Sequence, residues 1–154
     1  MELLEFQWTG RDEDLNDFIP VRKTSLSSGV DLKAYIKKPI VLKRGQSQVI
    51  PTGWKVKIPE GYELQIRSRS GLAAKHGVFV LNSPGTIDAD YQGELGVILH
   101  NANEEQFIVV GKMAIAQLVM CPVVLPEIKV IQTGDLFAET TVRGTGGFGS
   151  TGSF

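Results

Sequence analysis

The sequence predicts an all-β fold, closed or sandwiched, on three observations. Apolar residues alternate with polar ones over short runs. Glycine, proline or asparagine separates most of those runs. No window keeps a helical apolar stripe through three turns. The 154 residues suit one domain, and a composition 42% hydrophobic and 21% charged supplies a core and argues against global disorder.

The elements follow in order. Trp54, Val56 and Ile58 alternate with Lys55 and Lys57, Pro59-Glu60-Gly61 supplies a turn, and Tyr62, Leu64 and Ile66 alternate after it. The pattern predicts a hairpin. Further short strands are predicted over residues 78–81, 95–100, 107–110, 114–121 and 128–131. One short helix is predicted over residues 71–76, with Ser70 as its N-cap and Gly77 just past its end.

Composition removes several function classes. Sixteen Lys+Arg against 17 Asp+Glu give a net charge of -1, without the basic excess of a sequence-independent nucleic-acid binder. One cysteine, Cys121, rules out an intramolecular disulfide framework and a cysteine-rich zinc site. His76 and His100 are too few for a histidine metal site. No apolar run reaches the length of a membrane span, and Glu2 and Glu5 stand where a signal peptide needs positive charge. The expectation is a cytoplasmic protein with no nucleic-acid or membrane partner.

Three segments carry chemistry. Arg67-Ser68-Arg69 precedes the predicted helix, where two arginines and a hydroxyl make either an anion site or a solvated charge cluster. Residues 85–94 hold Asp88 and Asp90 either side of one residue, with Tyr91 next. An extended chain puts both carboxylates on one face, and the segment reads as a solvated turn or as carboxylates that activate water or hold a cation. The stretch 143–154 is Gly-rich and reads as a flexible terminus. Yet Phe148 offers an aromatic plate beside Arg143, Thr145, Ser150 and Thr151, a set suited to a nucleotide. Gly144 to Gly149 also fits G-x-G-x-x-G, but it lacks the strand and helix a dinucleotide site requires, and no P-loop motif is present.

Together these pieces resemble the homotrimeric deoxyuridine triphosphatase (dUTPase) family. Five motifs appear in family order: Ser28-Gly-Val-Asp-Leu-Lys-Ala34, Arg69-Ser-Gly-Leu-Ala73, Asn82 to Glu94, Ala114-Ile-Ala-Gln-Leu118, and Arg143-Gly-Thr-Gly-Gly-Phe-Gly-Ser-Thr-Gly152. The resemblance runs from about Ile19 onward. It implies a distorted jelly-roll-like β-barrel with one short helix over residues 19–142, assembling as a homotrimer. Residues 1–18 would be an extension of unknown role, and residues 143–154 a tail that closes over the site.

The resemblance implies hydrolysis of dUTP to dUMP and pyrophosphate, which limits uracil in DNA and supplies dUMP for thymidylate. Asp88 would be the base that activates water against the α-phosphorus. Tyr91 would stack under the deoxyribose, and Asn82 with Gly85, Thr86 and Ile87 would read the uracil edge. Arg69, Ser70 and Gly71 would hold the triphosphate with help from Gln117. Asp31 would contact Mg²⁺ through water. Arg143, Phe148, Gly149, Ser150 and Thr151 would close over the nucleotide, ordering the tail only when a triphosphate is bound. Each site would draw on three subunits.

The sequence departs from the family pattern in four places. Ser28 replaces a common alanine, and Ser68 stands where proline is common before the Arg-Ser pair. Ala114 occupies a usual basic position, and Lys112 a usual glycine. A deoxycytidine triphosphate deaminase, which shares the fold, would carry a glutamate where this chain has Ile98. A non-catalytic nucleotide-binding module is the other alternative, against which Asp88 is intact. Cys121 and Trp54 read as core, His100 as structural, and His76 as a helix-end residue.

Overall fold

Alternation builds the core. In the strand Gly96–Asn101 every second residue, Val97, Leu99 and Asn101, is fully buried, while the residues between are half-buried. The computed structural model describes residues 3–134, 136, 137, 139 and 141–147. Contacts divide the chain into two units, Met1–Val124 and Leu125–Phe154.

The first unit holds all the regular structure among the described residues. Its strands are β1 (Glu5–Trp8), β2 (Val30–Lys33), β3 (Ile40–Leu42), β4 (Ser47–Pro51), β5 (Trp54–Lys57), β6 (Tyr62–Arg67), β7 (Val78–Val80), β8 (Gly85–Ile87), β9 (Gly96–Asn101), β10 (Phe107–Val109) and β11 (Ala114–Pro122). A 3-10 turn at Asp12–Asp14 leads into α1 (Leu15–Phe18), and α2 (Ser70–His76) follows β6. The strands form four antiparallel sheets: β2-β11-β6-β8, β4-β9-β7, β1-β5 and β10-β3. The architecture is all-β as the sequence predicts, with two short helices rather than one and without hydrogen-bonded closure into a single barrel among the described residues.

Leu32, Leu42, Ile50, Leu64, Leu95, Leu99 and Ile115 lie fully buried between the sheets. Each such side chain contributes about 1.5–3 kcal/mol of transfer free energy. The two buried polar residues among those described are satisfied. Thr52 Oγ1 donates to the Leu95 carbonyl at 2.7 Å, and Asn101 Nδ2 donates to the carbonyls of Leu42 and Glu105 at 2.8 and 2.9 Å. Trp54 is core, as read from the sequence, and its indole packs beside Trp8 and Phe6. Residues 5–18 are therefore packed on the fold. Strand β1 pairs with β5, and Trp8 also stacks on Phe18 and meets Tyr35 edge-on.

Four local expectations change. Strands β5 and β6 alternate as predicted but do not pair: β5 bonds β1, and β6 bonds β11 and β8. The turn at Pro59–Gly61 passes the chain between sheets, which alternation cannot signal. Residues 128–131 form no strand, and Ile128 and Val130 are 88% and 77% exposed. Helix α2 begins at Ser70 with Arg69 as its N-cap, while Gly77 ends it at φ 61° as expected. Cys121 is half-buried rather than enclosed, and Arg67 Nη2 donates to its Sγ at 3.3 Å.

The second unit carries no strand or helix among its described residues. Leu125, Ile128, Val130 and Val142 are exposed. A turn at its end is held by Gly144 N donating to the Thr141 carbonyl at 2.9 Å.

Candidate active site

Strands β2, β11 and β6 lie side by side, and their shared end creates a polar cavity of about 420 Å³. Pairing sets Gln117 opposite both Asp31 on β2 and Arg67 on β6. The next residues beyond β6 are Ser68 and the N-cap Arg69, so the chain turns into α2 at the cavity wall. Five residues singled out from the sequence line this one cavity: Asp31, Arg69, Ser70, Gly71 and Gln117.

The charges there are ordered before any ligand arrives. Arg69 Nε stands 3.3 Å from Asp31 Oδ1, and Arg69 Nη1 donates to the Ala114 carbonyl at 2.7 Å. Lys23 Nζ stands 3.2 Å from Asp31 Oδ2. Gln117 Nε2 donates to the Ser68 carbonyl at 3.0 Å. Gly29 makes room for that amide, since a Cβ there would fall 2.7 Å from Gln117 Oε1. The result is a preorganised polar wall of guanidinium, ammonium and amide groups.

The residues expected at the base and sugar lie apart from this cavity. Strand β8 pairs with β6, and then Tyr91 N donates to the Asp88 carbonyl at 3.1 Å, which closes a turn. That turn defeats the expected same-face alignment of Asp88 and Asp90. Asn82, Thr86 and Asp88 are exposed, and Gly85 is buried against Asn82: a Cβ at Gly85 would sit 3.0 Å from Asn82 Nδ2. Ile87 is half-buried. The Tyr91 hydroxyl donates to the Glu94 carbonyl at 3.0 Å, and Tyr91 is 44% exposed and lines a second cavity with Phe6, Lys55 and Lys57.

Arg143 belongs to the second unit, where its Nε donates to the Gly146 carbonyl at 2.9 Å. Phe148, Gly149, Ser150 and Thr151 lie outside the described residues.

Two sequence departures gain a structural account. The Ser68 hydroxyl accepts Val80 N at 3.0 Å and lies 3.3 Å from Ser83 Oγ, so it ties the α2 entry to the strand before the Asn82 segment. Lys112 has φ 67°, a conformation that favours glycine. Its ammonium pairs with Asp17 at 2.6 Å and lines a different cavity from that of Arg69. That pairing raises the Lys112 pKa and lowers that of Asp17, in each case mainly through the hydrogen bond between them.

Motifs alone gave no role to Lys23 or Glu94, and no sign that the Ser68 hydroxyl faces Val80 and Ser83. Glu94 turned out to be a hub: its carboxylate accepts Gly53 N at 2.9 Å and the Thr9 hydroxyl at 3.3 Å, while its carbonyl holds Tyr91.

With that geometry in place, similarity to known proteins is informative. A family model described as dUTPase matches residues 17–152. The deoxyuridine 5'-triphosphate nucleotidohydrolase of Chlamydia pneumoniae is 56% identical over 135 residues, covering 88% of this chain and 91% of that protein. The protein of the same name from Chlamydia trachomatis serovar L2 is 53% identical, covering 87% and 90%. Among solved structures, a variant of the Staphylococcus bacteriophage 80alpha dUTPase with dUpNHpp superposes with a TM-score of 0.78 at 27% identity, covering 99% of this chain and 100% of that one. A variant dUTPase from phage phi11 of S. aureus, described with a structural Mg(II) ion, gives 0.72 at 25% identity over 85% and 97%.

Proposed function

The chain belongs to the dUTPase family, and on that premise we propose how it hydrolyses dUTP to dUMP and pyrophosphate. The substrate carries about four negative charges, which repel an incoming hydroxide, so catalysis rests on charge neutralisation and positioning. Arg69, Ser70, Gly71 and Gln117 bind the triphosphate oxygens. Asp88 accepts a proton from the water that attacks the α-phosphorus. Asn82 and the backbone of Gly85, Thr86 and Ile87 read the uracil edge, where each mispaired buried polar group costs about 1–3 kcal/mol. Tyr91 packs under the sugar. Arg143, Phe148, Gly149, Ser150 and Thr151 cover the bound nucleotide.

The donor set suits magnesium. Among the described residues no three His, Cys, Asp or Glu side chains come together. A hard octahedral cation that keeps most of its waters and takes its remaining ligands from substrate phosphates needs only one carboxylate nearby, and Asp31 is in the cavity. Bound there, Mg²⁺ would supply charge neutralisation at the phosphate oxygens, and Asp31 would hold it through water.

The observation that carries this reading is a separation. Five residues of the phosphate end converge on one cavity, while Asp88, Asn82 and Tyr91 face elsewhere on the same chain. A homotrimer that joins the cavity of one subunit to the Asn82–Tyr91 segment of another makes both complete. The exposed apolar residues Leu125, Ile128 and Val130 fit a segment that is covered by a second copy. The direct test is pyrophosphate release from dUTP, dCTP, dTTP and UTP in parallel. Only dUTP is expected to turn over rapidly, and comparable turnover of dCTP or UTP would refute the pocket assignment.

A further inference from the structure

Lys23 belongs to none of the five motifs, yet its ammonium stands in the Arg69 cavity, on the free side of the Asp31 carboxylate. The loop that carries it is held in place. Arg22 Nη1 donates to the carbonyls of Ser27 and Ser28 at 2.7 and 2.8 Å, and Ser27 N donates to the Thr24 carbonyl at 3.1 Å. The backbone of Lys23 is thus fixed at the cavity rim, while its side chain remains 67% exposed and free to swing.

Arg69 has less freedom, because its guanidinium is also bound to the Ala114 carbonyl. An ammonium is a point charge with three rotatable donors and can exchange a carboxylate for a phosphate without a fixed geometry. With two cations on one carboxylate, the cluster keeps one surplus positive charge.

We propose that Lys23 is a phosphate-binding residue of this site that neutralises Asp31 until a nucleoside triphosphate enters, then releases it and binds the phosphate oxygens. The proposal rests on the reading of this cavity as the phosphate pocket. It also makes Lys23 and a divalent cation competitors for Asp31, although both favour the bound triphosphate.

The test compares Lys23→Met and Arg69→Gln in the full, assembled protein. Calorimetry measures dUpNHpp affinity in EDTA, and a titration measures the Mg²⁺ concentration for half-maximal hydrolysis. Lys23→Met is expected to weaken metal-free binding about three- to tenfold and to lower the half-maximal Mg²⁺ concentration, two opposite changes that a merely structural defect would not produce. Lys23→Arg is expected to restore metal-free binding. Unchanged affinity in Lys23→Met beside weakened affinity in Arg69→Gln overturns the role of Lys23 alone. Unchanged affinity in both overturns the phosphate pocket with it. A raised Mg²⁺ requirement in Lys23→Met overturns the exchange at Asp31.

Discussion

The Arg69 cavity and the Asn82–Tyr91 segment, which the proposed mechanism joins in one reaction, are built in opposite ways. The cavity is assembled within a single chain: three paired strands aim their ends into it, and each ionic group already has a partner. The segment has a paired backbone, with β8 bonded to β6 and the Glu94 carbonyl holding Tyr91, but Asn82, Asp88 and Tyr91 are exposed. Preorganised charge can wait in place because both cations are held on one carboxylate. An exposed carboxylate that is to act on a bound phosphate has to be met by the rest of the site, and in the proposed trimer a neighbouring subunit would supply that.

Substitutions sharpen this contrast. Asp88→Asn should have the largest effect, lowering kcat by a factor on the order of a thousand while dUpNHpp binding persists, since it removes a base and leaves the phosphate wall intact. If turnover survives, the mechanism is wrong. Arg69→Gln should act in the reverse sense, costing about a hundredfold in kcat/KM with much of the loss in binding, because it removes a guanidinium from the triphosphate and uncovers Asp31. Gly85→Ala should raise KM for dUTP by about tenfold with a smaller change in kcat. The added Cβ falls 3.0 Å from Asn82 Nδ2 and displaces the group that reads the base. A larger loss in kcat than in KM would count against that placement of Asn82.

The smallest effect belongs outside both regions. Lys112→Ala should leave kcat unchanged, since that ammonium faces Asp17 and not the Arg69 cavity. Its pair with Asp17 contributes a little stability with a defined pH window. The lowered Asp17 pKa makes that contribution vanish as pH falls through the folded value, and the raised Lys112 pKa makes it vanish as pH rises through its own. Between those limits thermal melting should show a constant small deficit in the variant, and a reduced kcat would place Lys112 in the catalytic site after all.

Much of this was legible in the sequence. Period-2 alternation located β5 and β6 because each has one face in the core, and short apolar runs located β9 and β11. It could not show that β5 and β6 part company, since pairing is decided by partners far along the chain. Strand β1 escaped notice because it is a short run whose burial depends on Trp54 and Tyr35 arriving from elsewhere. The motif residues converged as expected at Asp31, Arg69 and Gln117 because β2, β6 and β11 are neighbours. Lys23 was illegible for the opposite reason: a lysine in a polar loop carries no period, and only the three-dimensional approach to Asp31 distinguishes it.

Mixing two disabled proteins tests the shared site most directly. Asp88→Asn and Arg69→Gln subunits, refolded together in equal amounts, should regain about a quarter of wild-type dUTP turnover, because random assortment leaves that share of inter-subunit sites with both groups intact. Activity that stays at the level of the two parents would contradict the account, and would mean that each chain carries a whole site of its own.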